Sequence, residues 1–448
     1  MEVKNHCEEN QLKNGVQNGV LKETPPAKLA NHGKWNPIYL FLLCVLLGSV
    51  LILLLNACHP SDPADPWTLT GFFKAPLWDW TALAIVLTFT VLQGALYYLP
   101  VGQVVEGKMG SNEKRLKYSL NGLHAFGVCV VLLVCLWECG YVRAVSVSGR
   151  VLALVSAACV VSVLLSVCLY LRSASAQTHQ GQDNNTGGFL LDFALGREVD
   201  PRVGIIDVKQ FAMVRIGFIG WGLLDVCYLL TAVESESLSA SLLLTVTFQL
   251  IYITEFLIDE DSVLDTKEFT EESIGFLMIL GEYIWIPFFS SLPVYFLLQR
   301  PNDIHFLSVI SIILLFSVGF LMYYMANEQK SRFRKSPHHP AVAHLETIRS
   351  PSGQNLLVSG WFGWVRHPNY LGDILLMLAW CLPCGFSSLL PYLPALQCFK
   401  LLRERSTEIE ESCLKKHGEA WREYCRRVPY KLIQAVLTSL HFLNKNTR

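Results

Sequence analysis

Polar and ionisable side chains are unusually dense between residues 356 and 373, directly before an apolar run. The side chains there that could bind or orient a ligand are Arg366, His367, Asn369, Tyr370 and Asp373. A charged group in hydrocarbon costs roughly 2.5–3.5 kcal/mol even on insertion scales, so clustered charges beside a membrane normally face protein, water or a ligand. This stretch is therefore a candidate binding site. Two structural alternatives remain: Arg366 can pair with Asp373, and His367 can cap the following helix.

A second candidate lies in an apolar segment, where Tyr252 precedes Glu255 by three residues. On a helix these two side chains share a face. An acid within a membrane segment is a functional hypothesis by default, and burial favours the protonated carboxyl that a proton donor needs. The alternative is that Glu255 extends to the nearby membrane interface beside Asp259.

Two cations, Lys330 and Arg334, lie four residues apart and hence on one face of a helix that leaves the membrane. Two positive charges at this spacing suit a phosphate group. The alternative is a positively charged flank that contacts lipid headgroups.

The remaining candidates are interpreted as structural. The fourteen cysteines lie mostly in apolar runs, where cysteine behaves as a small hydrophobe, and the redox-type spacing of Cys381 and Cys384 falls inside such a run. No His or Cys cluster has metal-ligand spacing outside these runs, so no metal site is expected. One group of charges is expected to form a salt-bridge network at a helix mouth: Glu198, Arg202, Asp207 and Lys209.

The elements that must position these residues are membrane helices. Of 448 residues, 52% are hydrophobic and 16% charged, against about 25% charged in soluble domains. Apolar runs long enough for a ~30 Å hydrocarbon core lie near 38–57, 80–99, 123–142, 150–171, 211–232, 240–258, 274–298, 304–325 and 371–402. The last run is interrupted by prolines and is divided near Gly385. The sequence therefore predicts an all-α polytopic membrane protein of about ten transmembrane helices.

Residues 1–36 are polar and lack an apolar core, so we expect a disordered cytosolic tail before a membrane domain over 37–448. Lys and Arg concentrate in 108–117, 330–335 and the C-terminal segment, which predicts that these face the cytosol. The glycosylation sequon at Asn184 is expected to be unused unless its loop is lumenal. The net charge of −1 says nothing about nucleic acid, but the sequence has no basic patch with interleaved aromatic residues, so no nucleic-acid partner is expected.

Several long motifs, in order along the chain from about Pro76 to the C-terminus, carry a resemblance. They are Ala95-Leu-Tyr-Tyr-Leu-Pro100, Gly196-Arg-Glu-Val-Asp-Pro-Arg202, the stretch 275–301, Ala326-Asn-Glu-Gln-Lys330, the stretch 356–373, and Glu423-Tyr-Cys-Arg-Arg-Val-Pro-Tyr430. The sequence resembles the sterol reductase family, in its delta-14 branch, which includes the membrane half of the lamin B receptor. The resemblance implies a membrane enzyme of the endoplasmic reticulum, continuous with the nuclear envelope.

The resemblance also implies a reaction and its site. Reducing an unactivated carbon–carbon double bond needs a proton on one carbon and a hydride on the next; the family implies NADPH as cofactor, a sterol admitted from the bilayer lipid, and reduction of the 14,15 bond. Tyr252, with Glu255 where the family has Asp, matches the sterol-pocket pair and is expected to supply the proton. The cofactor part is expected at about 320–430, with contacts from Lys330, Arg334, Leu357, Phe362, Asn369, Tyr370, Arg405, Cys413, His417 and Tyr424.

Several positions depart from the family pattern close to the expected chemistry: Asp200, Ile258, Glu282, Ser290, Pro293, Phe362, Ile409 and His417. The family has an acid at the position of Ile409, four residues after Arg405, and Glu408 and Glu410 flank the change. Losing a buried carboxylate costs several kcal/mol unless another group replaces it. Two hypotheses therefore stand: an active reductase, or a sterol-binding or scaffolding membrane protein that kept the fold.

Overall fold

The computed structural model describes residues 37–59, 75–109, 115–175, 188–270 and 272–432. The predicted tail over 1–36 and the sequon at Asn184 lie outside these residues. The structure is mostly helical, at 72%, with few strands. The predicted helical class is therefore confirmed.

Seventeen α-helices lie within the described ranges. Those up to residue 258 are α1 (Pro37–Cys58), α2 (Trp80–Tyr97), α3 (Gly122–Glu138), α4 (Ala144–Ser148), α5 (Val151–Ser175), α6 (Phe189–Leu195), α7 (Val208–Gln210), α8 (Ile219–Glu234) and α9 (Ala240–Ile258). Those that follow are α10 (Lys267–Thr270), α11 (Phe276–Leu280), α12 (Leu292–Gln299), α13 (Phe306–Lys335), α14 (Pro340–Ala343), α15 (Pro368–Cys381), α16 (Leu393–His417) and α17 (Glu419–Arg427).

Six helical segments of the described chain are long and apolar enough to cross a membrane: Trp80–Tyr97, Val151–Ser173, Val208–Glu234, Ala240–Ile258, Phe276–Gln299 and Phe306–Lys335. The predicted count of about ten is not confirmed. Helices also lie at the other predicted runs, but α3 has 17 residues and α15 has 14. α16 has 25 residues, of which the C-terminal half is strongly charged. The predicted count was based on the hydropathy of apolar runs, and in some of these runs helix-breaking residues or charges shorten the apolar helix.

The last predicted apolar run forms two helices, and the break between them lies in its proline-containing part. Short 3₁₀ turns at Leu382–Cys384 and Leu390–Tyr392 separate α15 from α16. Gly385 lies between them with φ of +70°, a conformation that glycine adopts without a Cβ clash. The predicted break near Gly385 is confirmed.

Two of the six spans contain π-helical turns, at Phe211–Phe218 and Gly281–Phe289. The two π-helical turns pack against each other. The Glu282 carboxylate lies so close to Gly217 that a Cβ added to this glycine would be only 2.3 Å from it. Such turns widen a helix and are frequent at functional sites. Here they bring the buried acid Glu282, a departure from the family pattern, against a helix that has no side chain at that point.

α13 and α15 cross at very short range because each presents a glycine. A Cβ on Gly319 would lie 3.0 Å from the Leu376 backbone nitrogen, and one on Gly372 would lie 2.5 Å from the Tyr323 nitrogen. Small residues allow membrane helices to approach this closely. The crossing holds Tyr323 of α13 beside Asp373 of α15.

Three two-stranded antiparallel sheets, which the sequence reasoning missed, lie at the helix ends. They pair β1 (Gln103–Met109) with β2 (Arg115–Leu120), β3 (Arg202–Val203) with β4 (Ile206–Asp207), and β5 (Thr347–Ile348) with β6 (Leu356–Leu357). Each is a local hairpin between helices. A purely α description is therefore corrected to mostly α.

Candidate functional site

A cavity of about 1420 Å³ lies between α9, α13 and α16. Its end within the membrane-spanning helices is lined mainly by Leu250, Ile251, Thr254, Phe320 and Tyr323. Its other end is strongly charged and is lined by Asp259, Asp261, Glu272, Glu328, Lys330, Arg334, Lys335, Glu404, Arg405 and Glu408. The cavity therefore has an apolar end for a hydrocarbon and a charged end for a polar ligand.

Four ionisable side chains from three helices meet at the apolar end; we call them the acid cluster: Tyr252, Glu255, Tyr323 and Asp373. The Tyr252 hydroxyl donates a long hydrogen bond of 3.5 Å to Asp373 Oδ1. Tyr323 lies close enough to Glu255 for the two groups to interact electrostatically, and the rings of Tyr252 and Tyr323 lie 5.9 Å apart. Glu255 Oε2 is buried and has no hydrogen-bond partner among the described residues. Glu255 thus turns toward the cavity and its cluster.

The depth of the two predicted donors differs. Glu255 lines the cavity, whereas Tyr252 lies one helical turn farther into the membrane span and is half-buried. The Tyr252 ring is enclosed by Trp380 at 5.4 Å and Trp221 at 6.0 Å between ring centroids. The pair predicted from sequence is therefore brought into one cluster, with Tyr252 on its inner side.

The charged end contains the predicted cations. Lys330 and Arg334 line the cavity from α13, and Arg405 lines it from α16. Lys330 Nζ lies 5.8 Å from the centroid of the Phe362 ring. In the described part of the chain neither Lys330 nor Arg334 forms an ion pair with a carboxylate, although Arg332 on the same helix pairs with Glu328. Two adjacent cations without a counter-ion form a site suited to an anion.

Six other predicted cofactor contacts lie behind or beside this wall of cations, outside the cavity lining: Leu357, Phe362, Asn369, Cys413, His417 and Tyr424. The Tyr424 hydroxyl donates to the Phe362 carbonyl at 3.0 Å. Asn369 Nδ2 donates to Asn327 Oδ1 at 3.1 Å, and Asn327 does line the cavity. Leu357 packs in the same apolar cluster as Phe362. These side chains support the site from behind, while Tyr370 reaches the lining itself.

Cys413 and His417 follow on the outer part of α16. Cys413 lies close enough to Lys330 for their charges to interact, and burial raises the pKa of its thiol. His417 Nδ1 lies 2.6 Å from the Ser350 hydroxyl and 2.9 Å from that of Ser352. Partial burial and the neighbouring Lys416 lower the pKa of His417. His417 therefore holds the 350–352 turn and does not reach the cavity.

His367 does not cap α15, because its side chain makes no capping hydrogen bond. Its ring instead stacks on Tyr370, with centroids 5.2 Å apart. Burial, together with the charges of Lys330 and Arg366, lowers the pKa of His367 to about 3. The ring is thus neutral at physiological pH and serves as an apolar support for Tyr370.

Arg366 pairs with Glu410 and not with Asp373, so that sequence-based alternative is wrong. Arg366 Nε lies 2.8 Å from Glu410 Oε1, and Lys431 Nζ lies 2.6 Å from Glu410 Oε2. Arg366 also donates to the carbonyls of Val428 and Pro429. The guanidinium needs several acceptors, and the returning C-terminal segment supplies more of them than Asp373 can.

The position of Ile409 is partly compensated. Ile409 lines the cavity and is 37% exposed. Glu410 is taken up by Arg366 and Lys431, but Glu408 lines the cavity and attracts Arg405. A carboxylate therefore remains beside Arg405, one position earlier on α16 than in the family pattern.

The predicted salt-bridge network exists with different partners. Arg202 pairs with Asp207 at 3.5 Å, but Glu198 pairs with Arg172 at 3.3 Å. Lys209 donates to the backbone carbonyls of Phe269 and Glu272. Short side-chain spacing in sequence did not reveal these longer-range partners.

Sequence reasoning missed Tyr323 and Asn327 as cavity residues, left open whether Glu408 or Glu410 reaches the site, and kept Asp373 as an outer support. One signal was available: residues 323, 327, 330 and 334 are spaced by four, three and four, which places them on one face of α13. The contact between Tyr252 and Asp373 joins residues 121 positions apart and had no local signal. Within the described ranges no group of three His, Cys, Asp or Glu side chains is arranged to hold a metal ion.

Fold and site together define a class: a helical membrane protein whose cavity connects an apolar, acid-bearing end to a cationic end. The model of the ergosterol biosynthesis ERG4/ERG24 family matches residues 49–437. The chain is similar to delta(14)-sterol reductase TM7SF2 of Mus musculus, at 39% identity over 404 residues that cover 89% of this chain and 96% of that protein.

Two further relatives extend the comparison. The chain is 36% identical to delta(14)-sterol reductase LBR of Gallus gallus over 91% of its own length and 64% of that longer protein. It is 34% identical to a delta(14)-sterol reductase of Arabidopsis thaliana, over 79% of this chain and 95% of that protein. The protein belongs to the ERG4/ERG24 sterol reductase family.

Proposed function

We propose that the protein is a delta-14 sterol reductase of the endoplasmic-reticulum membrane, which uses NADPH to saturate the 14,15 double bond of a sterol intermediate. The observation that carries this proposal is one cavity that joins the acid cluster to two cations, Lys330 and Arg334, which have no carboxylate partner among the described residues. Relatives named delta(14)-sterol reductase, 34–39% identical over most of both chains, support the same reaction.

The residues present fit a phosphorylated dinucleotide. Lys330 and Arg334 offer adjacent positive charges without a carboxylate partner among the described residues, and Arg405 adds a third cation from α16. Acidic side chains such as Asp261 and Glu272 elsewhere on the charged end repel phosphates toward these cations. The volume of 1420 Å³ exceeds the roughly 300–1,000 Å³ of single-ligand pockets, which leaves room for a cofactor and a sterol together.

NADPH, when bound, supplies the hydride. The chain's own residues supply the anchor, the orientation and the proton. Lys330 and Arg334 bind phosphate, while Tyr370, stacked on the neutral ring of His367, forms a flat surface beside them. Such a surface suits a planar ring of the cofactor.

The sterol enters laterally. Ile251 and Ile258 line the cavity and are 40% and 68% exposed on the outer side of α9. A cavity wall made of exposed apolar side chains within a membrane-spanning helix opens toward lipid. A hydrocarbon can therefore reach the acid cluster without crossing water.

Tyr252 donates the proton, and Glu255, in the same cluster, assists by keeping Tyr252 protonated between turnovers. The Tyr252 hydroxyl lies on the inner side of the cluster, enclosed by aromatic rings that exclude water. A cation that develops on the sterol skeleton would otherwise be captured by water, so a dry donor favours reduction.

The second candidate function is sterol binding or scaffolding without turnover. It is favoured by Ile409, which removes the family's acid beside the cofactor part. Glu408 beside Arg405 supports the enzyme instead.

The test is conversion of a 14,15-unsaturated sterol by the purified full-length protein in nanodiscs with NADPH, followed by mass spectrometry. We expect a product heavier by two hydrogens, and Tyr252→Phe is expected to lower its rate about 10²–10⁴-fold while NADPH binding stays within about threefold. Bound sterol without product would support the binding protein. Unchanged turnover by Tyr252→Phe would exclude Tyr252 as the donor.

A further inference from the structure

Once Tyr252 has given up its proton, its position makes reprotonation difficult. The side chain lies one helical turn farther into the membrane span than Glu255 and outside the cavity lining, and Trp221 and Trp380 flank its ring. A sterol would fill the apolar end, so bulk water cannot return a proton to the Tyr252 hydroxyl directly. A repeated reaction requires another route for that proton.

The acid cluster supplies the groups for such a route. Asp373 accepts the hydrogen bond of the Tyr252 hydroxyl. Tyr323, whose ring lies 5.9 Å from that of Tyr252, interacts electrostatically with Glu255 and with Asp373. Glu255 lines the cavity and keeps Oε2 without a partner among the described residues. The four groups form a continuous series from the cavity to Tyr252.

The series is held in place by backbone packing. Gly319 and Gly372 bring α13 and α15 so close that a Cβ on Gly372 would meet the Tyr323 nitrogen at 2.5 Å. Tyr323 and Asp373 therefore keep a fixed separation. Asp259, one turn after Glu255 on α9, interacts with Glu255 and also lines the cavity at its charged end. The outer end of the series thus reaches the part of the cavity that water enters.

We propose that Glu255, Tyr323 and Asp373 form a proton relay that returns a proton from water at the charged end of the cavity to Tyr252 after each turnover. The relay rests on the proposed reductase function. It assigns Glu255 to proton supply, and Asp373, outside the cavity lining, becomes a required residue.

Each step balances. The O–H bond of Tyr252 breaks as a C–H bond forms on the sterol, and the resulting phenolate takes the proton of the Asp373 carboxyl group. Asp373 takes a proton from Tyr323 as Tyr323 takes one from Glu255, and the Glu255 carboxylate takes one from a hydronium ion. The net change is one proton from water per turnover, with no electron transferred within the relay.

Loss of a relay residue and loss of the proton donor have different effects on the first turnover. A protein that starts with protonated Tyr252 can react once without the relay, and then must wait. With enzyme in excess over a 14,15-unsaturated sterol, Asp373→Asn and Glu255→Gln are each expected to form product within about threefold of the wild-type rate. With sterol in excess, they are expected to show a burst of one product per enzyme and then a steady rate at least about tenfold lower, as for loss of a proton-transfer group.

The matched control is Tyr141→Phe. Tyr141 follows α3, is 81% exposed and lies outside the cavity lining. Both rates should stay at the wild-type value. Formate added to Asp373→Ala should restore its steady rate, because a small acid can replace a missing carboxyl group but cannot repair a misfolded site.

The outcomes separate the two proposals. If the wild type forms product but Asp373→Asn and Glu255→Gln show no burst, the relay is wrong and the reductase stands. The same holds if both variants lose the first turnover. Steady rates of Asp373→Asn and Glu255→Gln at the wild-type value do the same, and so does a reduced steady rate of Asp373→Ala that formate does not restore. Absence of product from the wild type in both regimes refutes the reductase, and the relay with it. If Asp373→Asn fails to fold, Glu255→Gln alone decides between these outcomes.

Discussion

Removal of the two cations on α13 gives the sharpest test of the cofactor site. Lys330 is half-buried and Arg334 is exposed at the charged end of the cavity. A charge-assisted hydrogen bond to a half-buried group contributes roughly 1.5–3 kcal/mol, and an exposed ion pair roughly 0.2–1 kcal/mol. The double variant Lys330→Ala with Arg334→Ala is therefore expected to lose about 2–4 kcal/mol of NADPH binding energy. This corresponds to an increase in Kd of about 30- to 1,000-fold.

The assay is titration of NADPH fluorescence with the protein in nanodiscs, alongside sterol binding to the same samples. Sterol affinity should stay within about twofold, because the apolar end is untouched. Arg332→Ala is the matched control: it removes a cation from the same helix, but that cation is already paired with Glu328. Its NADPH affinity should remain near the wild-type value.

Salt dependence gives an independent check. If the cations bind phosphate, raising ionic strength should weaken NADPH binding to the wild type more than to the double variant. A change in Kd below about threefold, or equal loss of NADPH and sterol binding, would refute the assignment. Lys330 and Arg334 would then hold the helix end at the membrane surface, as the headgroup alternative states.

Three further predictions concern the supports of the site. Gly372→Ala forces a Cβ to within 2.5 Å of the Tyr323 nitrogen, so we expect a lower Tm and lost turnover, whereas Gly127→Ala on α3, where an added Cβ has no neighbour within 4 Å, should keep both. Glu408→Gln should raise the KM for NADPH several-fold and change kcat little, since it loosens Arg405; an unchanged KM would leave Ile409 uncompensated. The pKa of His367 lies at about 3 in the folded protein, below the 6.5 of an unfolded histidine, so only the unfolded state binds the proton as pH falls below 6.5. Stability should therefore drop by roughly 2 kcal/mol between pH 7 and pH 5 through this group, and a pH series of Tm on wild type and His367→Gln, which should lack that slope, measures it.

Much of the fold followed from local pattern. Run length and hydropathy predicted helices at every described apolar run, and the proline cluster predicted the break at Gly385. The predicted count of about ten spans is not confirmed, because hydropathy does not show where a helix ends. The π-helical turns and the glycine crossing of α13 and α15 depend on contacts between distant segments, and one sequence contains no signal for such contacts.

The site divides in the same way. Residues on one helix, such as Lys330 with Arg334 and Tyr252 with Glu255, were grouped correctly by their spacing. Pairing of Asp373 with Arg366, its close neighbour in sequence, was one alternative, whereas Asp373 contacts Tyr252 from α9. Pairing across 121 residues is decided by how α9 and α15 pack. Glu408 was weighed as a replacement for the missing acid, and its lining of the cavity depends on the rotation of α16, which sequence spacing leaves open.

The glycine crossing of α13 and α15 also bears on which bond of a sterol reacts. Because Gly319 and Gly372 pack the two helices in direct contact, α13 cannot slide along α15. Lys330 and Arg334 therefore lie at a fixed distance from Asp373 and the tyrosine that is hydrogen-bonded to it. In the proposed reductase, the hydride donor and the proton donor would therefore lie at a fixed distance from each other. A rigid sterol could then place only one of its double bonds between the two donors. The length of the apolar end would then determine which double bond is reduced. Lengthening or shortening that end by one side chain would change which bond lies between the two donors.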